Sequence, residues 1–568
     1  MTPPTSIVLG RAGDRRGWCA VFLDEAESEQ SREEIPDEEL SDRVASWETR
    51  WAPRWIVRHL RELYPALLAD GVRLRRAHDL LLCHAILRDT ASLPEPLPGS
   101  SSWRRADPAD AEPVRPALFA WNDGTEDEGG IEELLAERRR QVAALERAPD
   151  SRLRLLCAAE STGALVAEEM TAAGLPWSTE VHQQILARTL GARPMPGSRP
   201  PRMAELAAEV GELLGDPGVN PDSPPRLLRA LRRAGILVES TSRWELAEVE
   251  HPAVAPLLAY KKLARLFTAN GWAWLSEWVR DERFRPVYLT GGVVTGRWAS
   301  SGGGALQVPR SLRPAVRADE GWLLVCADVA QLEPRVLAAM ARDRDMATAA
   351  QGSDLYAGIV RSGVVATRDE AKYAVLGAMY GATTGDSGRL APRLRSVFPA
   401  AMALVDDAAR AGEEGGVVST LLGRTSPRPD PGWIAAQARA SNPDAGGADE
   451  RRARSSARDR GRFTRNFVVQ GTAAEWSLLW LAEIRHRLSA LPEAAVPAPR
   501  SGPIFSRRAH LAFFLHDEVI VHCPAELADA AADIVRDAAD AATRRLFPGF
   551  AIDVPLDLRI ARDAGKSS

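Results

Sequence analysis

Two apolar, strand-like runs in the chain lead into carboxylates. The run from Trp322 to Ala327 ends on Asp328, and an acidic pair, Asp517 and Glu518, separates two β-prone runs with room only for a tight hairpin. Carboxylates at neighbouring strand ends can hold two Mg²⁺ ions about 3.5–4 Å apart, as phosphoryl transfer without a covalent intermediate commonly requires. For either strand alone, acids that face water are the simpler interpretation.

A third segment places cations and an aromatic side chain at helical spacing. Arg368, Lys372, Leu376 and Tyr380 are four positions apart, so on a helix they follow one face with a drift of about 40° per step. Two cations followed by an apolar and an aromatic side chain could bind a triphosphate at one end and a base or sugar at the other. An ordinary amphipathic helix is the alternative.

A fourth segment repeats this spacing with Arg462, Asn466 and Gln470. On a helix these side chains could donate hydrogen bonds to phosphates or to minor-groove base edges. A polar helix surface or a buried amide network is the alternative. The overlapping residues 451–465 hold seven arginines and one aspartate, which predicts a mobile loop near a polyanion or, equally, a solvated surface loop.

The composition limits the class of protein that carries these segments. The 568 residues suffice for roughly three to four structural units. With 45% apolar and 26% charged residues, collagen-like, disordered and disulfide-scaffold proteins are excluded. The net charge of −5 restricts any nucleic-acid site to a local patch. Five scattered cysteines and the lack of a long apolar run predict a cytoplasmic protein without a disulfide framework, a clustered zinc site or a membrane span.

Hydrophobic patterns divide the chain into regions. A strand-like run from Trp18 to Leu23 and helical patterns over residues 46–68 and 78–87 predict a small N-terminal α/β domain. Residues 90–131, rich in Pro, Gly, Ser and acids, predict a linker. The next periodic stretches, residues 153–173, 202–214 and 226–235, predict helices. Short strands and further helices are expected after Gly271, with a second low-complexity stretch at residues 425–460.

Taken in order, the chemical segments resemble the motifs of family A DNA polymerases, the bacterial DNA polymerase I family. Residues 328–335 resemble its first palm motif, residues 368–381 its R-x3-K-x7-Y-G fingers helix, residues 466–474 its N-x3-Q-G-T-A-A helix, and residues 516–518 its H-D-E motif. Shorter matches at residues 219–224, 257–266, 295–297 and 306–309 carry the resemblance from about Cys157 to the end of the sequence. The similarity is greatest to a shorter, actinobacterial-type member that lacks a separate 5′-nuclease domain.

The resemblance implies an α/β multidomain fold. A right-hand polymerase of palm, fingers and thumb would follow a small ribonuclease-H-like domain of the 3′–5′ exonuclease type. The expected boundaries are residues 1–130 for the exonuclease-like domain and linker, 131–265 for a helical connection and thumb, 266–340 for the first part of the palm, 341–480 for the fingers and 481–568 for the rest of the palm. The implied partners are primer–template DNA and deoxynucleoside triphosphates, bound by a nucleoid-associated monomer.

The resemblance also implies roles for individual residues. Asp328 and Asp517 would hold two Mg²⁺ ions, and Glu518 would support the site. Arg368 and Lys372 would clamp the incoming triphosphate. Tyr380 would abut the nascent base pair, and Glu333, with Gln331 close by, would exclude a ribose 2′-hydroxyl by its bulk. The residues expected to hold primer and template are Arg265, Arg297, Arg462, Asn466, Gln470 and His516.

One departure from the family pattern concerns the incoming nucleotide. Leu376 stands where the family usually has Phe or Tyr, so a flat contact to the sugar and base is lost. Val329 and Ala330 stand where the family has Tyr and Ser, and Pro334 and Val308 are further departures. None of these differences removes an expected metal ligand.

The N-terminal domain matches the exonuclease pattern less well. The family's D-x-E motif is met only by Glu25 and Glu27, and Glu62 falls near the second motif's aspartate. No tyrosine has an aspartate four residues later, and the spacing of His84 and Asp89 fits a related exonuclease class only by chance. We expect an exonuclease-like fold without robust activity.

The sequence therefore predicts a template-directed DNA polymerase that works in repair or gap filling. A catalytically lapsed DNA-binding scaffold and a dedicated 3′–5′ exonuclease are the alternatives. Asp328, Asp517, Arg368, Lys372 and Tyr380 are all present, which argues against a lapsed site.

Overall fold

The computed structural model describes residues 3–12, 17–103, 130–301, 303–304, 308–352, 354–381 and 385–565. Most of the predicted linker and the first two residues of the 306–309 motif lie outside the described residues. The chain divides into two compact units: the first comprises Met1–Ala173, Val287–Ser301 and Gly321–Ile560, and the second Gly174–Pro286, Gly302–Glu320 and Ala561–Ser568. The predicted domain boundaries stay predictions. No described helix combines the length and apolar character that a membrane span needs.

A five-stranded sheet with three helices begins the first unit. Its elements are β1 (Ser6–Arg11), β2 (Trp18–Leu23), β3 (Glu29–Ile35), α1 (Leu40–Trp51), β4 (Arg54–Val57), α2 (Leu60–Ala69), β5 (Arg76–Asp79) and α3 (Leu80–Asp89). The strand order is β3-β2-β1-β4-β5, in which β1 pairs parallel with β4 and antiparallel with β2. The predicted strand over residues 18–23 is therefore confirmed, as is the small α/β arrangement.

The continuous helical pattern predicted over residues 46–68 is wrong. Ala52 takes a left-handed conformation with φ of 45° and Pro53 follows it, so α1 ends there. The apolar residues that come next form the buried strand β4 instead. In the same way, the helix predicted from residue 78 begins only at Leu80, because residues 76–79 pair with β4.

Two further helices join this domain to the rest of the first unit: α4 (Ile131–Glu146) and α5 (Arg152–Ala173). The second confirms the helix predicted over residues 153–173. Ala164, Leu165 and Ala173 of α5 belong to the same hydrophobic core as residues of β1, α1 and α2. The N-terminal sheet is thus packed directly on α5.

A four-stranded sheet forms the centre of the first unit. The remaining strands of this unit are β9 (Val287–Leu289), β10 (Ala299–Ser301), β11 (Trp322–Val329), β12 (His510–Leu515), β13 (Glu518–Pro524) and β14 (Leu556–Ala561). The sheet has the order β12-β13-β11-β14, and β9 pairs with β10 as a separate ribbon. The apolar runs that flank the acids form the buried strands β11, β12 and β13, as predicted.

The remaining helices of this unit all follow β11 in the chain. They are α12 (Leu332–Met340), α13 (Arg344–Ala349), α14 (Leu355–Arg361), α15 (Arg368–Tyr380), α16 (Gly385–Val397), α17 (Pro399–Glu413), α18 (Pro431–Ala440), α19 (Gly447–Leu488), α20 (Gly502–Phe505) and α21 (Ala528–Leu546). The predicted loop over residues 451–465 is wrong, since the whole segment lies within α19. Residues 451–460 contain only Arg, Ala, Ser and Asp, with neither Gly nor Pro, and arginine and alanine favour helices.

A buried ionic cluster lies where the N-terminal sheet, α5 and α19 meet. The Glu169 carboxylate of α5 accepts hydrogen bonds from the Tyr64 hydroxyl at 2.7 Å, from Arg73 Nη2 at 2.9 Å and from Arg485 Nη2 at 2.6 Å. Arg485 also donates to the backbone carbonyl of Arg75 at 2.9 Å. Burial would raise the pKa of Glu169, but Arg485 and Arg73 outweigh that effect and lower it to about 2.

The second unit is mainly helical. Its elements are β6 (Leu175–Pro176), α6 (Thr179–Leu190), α7 (Pro201–Leu213), α8 (Pro224–Arg233), α9 (Arg243–Ala247), α10 (Val254–Asn270), α11 (Trp272–Trp278), β7 (Val279–Arg280) and β8 (Arg283–Phe284). Both helices predicted in this region, over residues 202–214 and 226–235, are confirmed. Two apolar clusters form its core, one around Leu227 and Leu231 and one around Leu186 and Tyr260.

Candidate active site

The register of the central sheet brings the two predicted metal-binding acids to one place. In the antiparallel pair of β11 and β13, Asp328 lies opposite Glu518, the residue that follows Asp517. The backbone N–H of Val329 donates to the carbonyl oxygen of Asp517 at 2.9 Å, so the strand end and the hairpin turn are joined. Burial, together with the nearby Asp328 carboxylate, raises the pKa of Asp517 to about 6.

The residues at this place fit Mg²⁺. Two carboxylates that repel each other are stabilised by a divalent cation between them. Among the residues that the structure describes, no group of three or more His, Cys, Asp or Glu side chains could hold a metal by itself. Mg²⁺ is commonly held by one or two carboxylates and completed by substrate phosphates and water, and a pair of acids meets that requirement.

The turn that carries Asp517 is tight. His516 and Asp517 form its two residues, because Leu515 of β12 pairs with Glu518 of β13. His516 takes a left-handed conformation with φ of 57°, and its carbonyl accepts a hydrogen bond of 3.3 Å from Ser477 Oγ of α19. The exposed His516 side chain is thereby held beside the acids, and Glu518 is buried in the strand.

The Glu333 carboxylate joins three segments around the acids. Its Oε2 accepts a hydrogen bond of 2.6 Å from the Tyr380 hydroxyl, at the end of α15. Its Oε1 is paired with Arg297, which precedes β10. The structure therefore brings together the predicted gate residue, the predicted base-pair contact and one predicted DNA-binding arginine. Gln331, two residues earlier, is used differently, since its Oε1 accepts a hydrogen bond of 3.0 Å from Leu355 N at the start of α14.

Helix α15 carries the predicted triphosphate-binding residues. It starts with a capping box in which Thr367 and Glu370 exchange hydrogen bonds, and it ends at Gly381 in a left-handed conformation. Arg368 and Lys372 are exposed on it, and Leu376 is half-buried. The helix and its predicted limits are confirmed, and the face that carries the two cations is open to solvent.

Asp354 is a residue that sequence reasoning missed. Its Oδ1 caps α14 by accepting from the N–H groups of Tyr356 and Ala357, and its Oδ2 accepts a hydrogen bond of 2.7 Å from Arg368 Nε. The Arg368 guanidinium also lies 5.6 Å from the centre of the Tyr356 ring. An aspartate before a helix indicates a cap, but nothing in the sequence indicates its second partner, which lies fourteen residues away.

Helix α19 presents the three predicted DNA-binding residues in order. Arg462 is exposed and paired with Asp459, and Asn466 and Gln470 are half-buried. Among the described residues, none donates a hydrogen bond to the buried Oδ1 of Asn466. Arg265, the remaining predicted contact, is exposed on α10 in the second unit. The roles of these residues stay predictions.

A buried acid at the end of the fourth motif was also missed. Glu475 accepts hydrogen bonds from Thr420 Oγ1 and from Leu422 N, so α19 holds the turn over residues 419–425. In the same turn, Arg424 pairs with Glu160 of α5 at 2.6 Å. Burial raises the pKa of Glu475 to about 7 in spite of these hydrogen bonds. The partners are far apart in sequence, so no spacing could have indicated them.

Comparison with known proteins decides the family. The model of DNA polymerase family A matches residues 200–566, which is more than half of the chain. The chain belongs to DNA polymerase family A. Among curated relatives of this family A chain, DNA polymerase I of Chloroflexus aurantiacus is 28% identical over 370 residues, covering 60% of this chain and 35% of the relative. The thermostable DNA polymerase I of Thermus aquaticus is 25% identical over 398 residues, covering 63% and 43%. The aligned part spans less than half the length of these relatives.

A solved structure extends the comparison to the whole family A chain. The POL domain of Pol1 from M. smegmatis, in complex with a DNA primer–template and dNTP, has a TM-score of 0.67 and 18% sequence identity, and the match covers 99% of this chain and 95% of that domain. The predicted α/β fold, a right-hand polymerase preceded by a small α/β domain, is confirmed.

The N-terminal domain of this family A chain uses its acids structurally. The central strand β1 contains no acid. Glu25 and Glu27 lie instead in the turn after β2, where Glu27 pairs with Arg138 of α4. Glu62 pairs with Arg58 at 2.8 Å. His84 is buried and lies 2.8 Å from a carboxylate oxygen of Glu137. Glu27, Glu62 and Glu137 are therefore each engaged with a basic side chain.

Proposed function

We propose that this chain is a template-directed DNA polymerase that adds deoxynucleoside monophosphates to a primer 3′-hydroxyl, in DNA repair or gap filling. The observation that carries the proposal is the register of β11 and β13, which places Asp328 beside the turn of Asp517. Both acids lie in the same unit as the cationic face of α15 and the Glu333 contacts. The family membership and the primer–template and dNTP named for the solved relative support the same reaction.

In this reaction the primer 3′ oxygen bonds to the α-phosphorus of the nucleotide. The bond from that phosphorus to the pyrophosphate oxygen breaks, and the hydroxyl proton leaves to solvent. Two Mg²⁺ ions held by Asp328 and Asp517 would supply the charge that favours the attacking alkoxide and the departing pyrophosphate. Glu518, buried behind the turn, would keep Asp517 in position.

The remaining residues would bind and orient the substrates. Arg368 and Lys372 would hold the triphosphate and stabilise its developing charge. Leu376 would contact the sugar and base without a flat ring, and Tyr380 would lie against the nascent base pair. Glu333, held by Tyr380 and Arg297 and preceded by Gln331, would occupy the space of a ribose 2′-hydroxyl. The proposed contacts to primer and template are Arg265, Arg297, Arg462, Asn466, Gln470 and His516.

Primer extension tests the proposal. A labelled primer on a longer template is incubated with Mg²⁺ and four deoxynucleotides. Extension by the unchanged chain is expected, and Asp517→Asn or Asp328→Asn should lower its rate at least about 100-fold, because the carboxylate charge is lost at constant side-chain size. Duplex binding should persist. Asp537→Asn on α21 removes an exposed carboxylate far from the turn in sequence and is the matched control.

Other outcomes would contradict the proposal. Absence of extension by the unchanged chain, with duplex binding intact, would favour the lapsed scaffold. Shortening of the primer without nucleotides would favour an exonuclease. If either Asn variant loses duplex binding as strongly as extension, the proposed metal role of its acid is wrong.

A further inference from the structure

The residues that follow α3 connect the N-terminal domain to a turn in the family-matching part of the first unit. Thr90 is 1% exposed, and its Oγ1 donates a hydrogen bond of 2.8 Å to the Gly423 carbonyl. The backbone N–H of Ala91 donates to Thr425 Oγ1 at 2.9 Å. The N-terminal domain therefore holds the turn over residues 419–425 directly.

This turn is held from two further sides. Glu475 of α19 accepts hydrogen bonds from Thr420 and Leu422, and Glu160 of α5 is paired with Arg424 at 2.6 Å. The Glu160 and Arg424 side chains are only 2% and 14% exposed, so salt screens their attraction little. Together with the contacts of Thr90 and Ala91, these bonds fix the position of the turn.

Arg424 carries the position of the turn to the segment before β10. A Cβ added to Gly296 would lie 2.5 Å from Arg424 Nε and 2.9 Å from its Cζ, so the guanidinium lies directly against this glycine. Gly296 has a φ of 85°, and its N–H donates to the Val293 carbonyl at 2.8 Å. Among the described residues, none accepts a hydrogen bond from the buried Arg424 Nε. Glu160 therefore holds the guanidinium, and the glycine packs against it.

Arg297 follows Gly296 and leads to the active site. Its side chain is paired with Glu333 Oε1, the proposed gate, and its carbonyl accepts a hydrogen bond of 3.0 Å from Val293 N. Arg297 is also one of the proposed contacts to primer and template. All these residues lie in the first unit, so direct contacts connect Thr90 to Glu333 within it.

We propose that the N-terminal domain positions Arg297 for the primer terminus by holding the turn over residues 419–425. The inference rests on the proposed polymerase function. It assigns the domain a task that needs none of its acids, which agrees with their use in ion pairs.

The double role of Arg297 distinguishes this task from simple stabilisation. Hydrogen bonds of a guanidinium depend on its exact placement, and Arg297 both holds Glu333 and is proposed to contact DNA. A displaced turn should therefore weaken two properties together: the affinity for primer–template DNA and the discrimination against ribonucleotides. A contact that only stabilised the fold would change neither.

The experiment uses Thr90→Val in the full chain, which removes the hydroxyl and keeps nearly the same side-chain shape. Binding of a primer–template is measured by fluorescence anisotropy, and single-nucleotide extension gives the ratio of kcat/KM for deoxy- and ribonucleotides. Both the affinity and the ratio should fall about 3-fold or more, a size typical of residues that act on a site through others. Thr90→Ser keeps the hydroxyl and should restore both.

A second variant tests the same contacts from α5. Glu160→Gln combined with Arg424→Gln removes both buried charges, so neither is left without its counter-charge. It should lower the affinity and the ratio at least as much as Thr90→Val. Because both variants act through one turn, all three substitutions together should cause less than the product of the separate losses.

The matched control is Thr162→Val, the same chemical change on α5. Thr162 Oγ1 donates to the Ala158 carbonyl of its own helix at 2.8 Å. At about 100° per residue, Thr162 lies on the opposite side of α5 from Glu160. This variant should bind DNA and select sugars like the unchanged chain. All assays are run well below each melting temperature, which separates placement from stability.

Two results would overturn the inference. One is unchanged DNA affinity and sugar selectivity in Thr90→Val, whatever its melting temperature. The other is an equal loss of both properties in Thr162→Val. Failure of the proposed function is seen separately, as absence of primer extension by the unchanged chain. In that case the DNA affinities of the same variants still test whether the N-terminal domain positions Arg297.

Discussion

At the scale of single residues, the Glu333 carboxylate is the proposed gate for the sugar of the incoming nucleotide. Its Oε2 is held by the Tyr380 hydroxyl at 2.6 Å and its Oε1 by Arg297. Glu333→Ala removes the bulk that would exclude a 2′-hydroxyl, so discrimination against ribonucleotides should fall by at least about 10-fold. The ratio of kcat/KM for deoxy- and ribonucleotides measures this effect.

Tyr380→Phe separates the effect of the bulk of the Glu333 side chain from the effect of its position. The variant keeps the Glu333 side chain but removes the hydroxyl that holds it, so a smaller loss of discrimination is expected. Unchanged sugar selectivity in Glu333→Ala would show that this carboxylate is not the gate.

We expect Asp354 to position Arg368 for the proposed contact with the triphosphate. Because Asp354 accepts from Arg368 Nε, the terminal nitrogens of the guanidinium can bind phosphate oxygens. Asp354→Asn keeps a side-chain oxygen to cap α14 but removes the charge. We expect the KM for deoxynucleotides to rise up to about 10-fold with little change in kcat, as for a binding contribution of about 1.4 kcal/mol.

The control for Asp354 is Asp430→Asn, which alters the equivalent cap of α18. It should leave both constants unchanged. A fall in the KM of Asp354→Asn would mean that Asp354 competes with the triphosphate for Arg368, which is the opposite role.

At the scale of elements, Gly381 lets the end of α15 approach α19 closely. Gly381 has a φ of 72°, and an added Cβ would meet Arg462. Gly381→Ala should therefore cost more than the roughly 1–2 kcal/mol of left-handed strain and should also slow primer extension by displacing Arg462. Thermal unfolding and extension rates measure the two effects.

Gly363→Ala supplies the comparison. Gly363 follows α14 with a φ of 77°, but no atom lies within 4 Å of its added Cβ. In this variant, the left-handed backbone strain is the only expected effect. Equal stabilities and equal extension rates for the two variants would show that the close approach to Arg462 has no consequence.

The elements also show what the sequence could predict. Motif order and apolar runs correctly predicted β11, α15 and the hairpin of β12 and β13, because each is set by local patterns. The loop expected at residues 451–465 is a helix instead, because a low-complexity segment rich in arginine and alanine favours helix formation. The partners of Asp354 and Glu475 could not be predicted, since their contacts depend on how separate elements pack.

At the scale of the whole first unit, Glu169 couples the N-terminal sheet to α19. Glu169→Gln would leave Arg485, which is 8% exposed, and Arg73 without their counter-charge. Breaking a buried pair in this way costs about 3–5 kcal/mol, which chemical unfolding at pH 7 should detect. Glu62→Gln, at a pair in which Glu62 is 53% exposed, should cost no more than about 1 kcal/mol.

The pH dependence of the Glu169 effect has a definite sign. The pKa of Glu169 is about 2 in the folded chain and about 4.5 when unfolded. The carboxylate therefore contributes its full stability above about pH 4.5 and loses it as the pH falls towards 2. The stability difference between the unchanged chain and Glu169→Gln should be constant near neutral pH and shrink below pH 4.5. A difference that does not change with pH would contradict this assignment.

The position of Glu169 between the N-terminal domain and α19 limits how this chain can evolve. A lineage under selection for a shorter chain cannot delete the N-terminal domain in one step, because Tyr64 of α2 and the nearby Arg73 would leave with it. The Glu169–Arg485 pair would then be exposed on the remaining surface. Compensating substitutions on α5 and α19 have to come first. The domain can therefore persist through purifying selection on its packing alone, since residues on both faces of its sheet are buried in apolar cores.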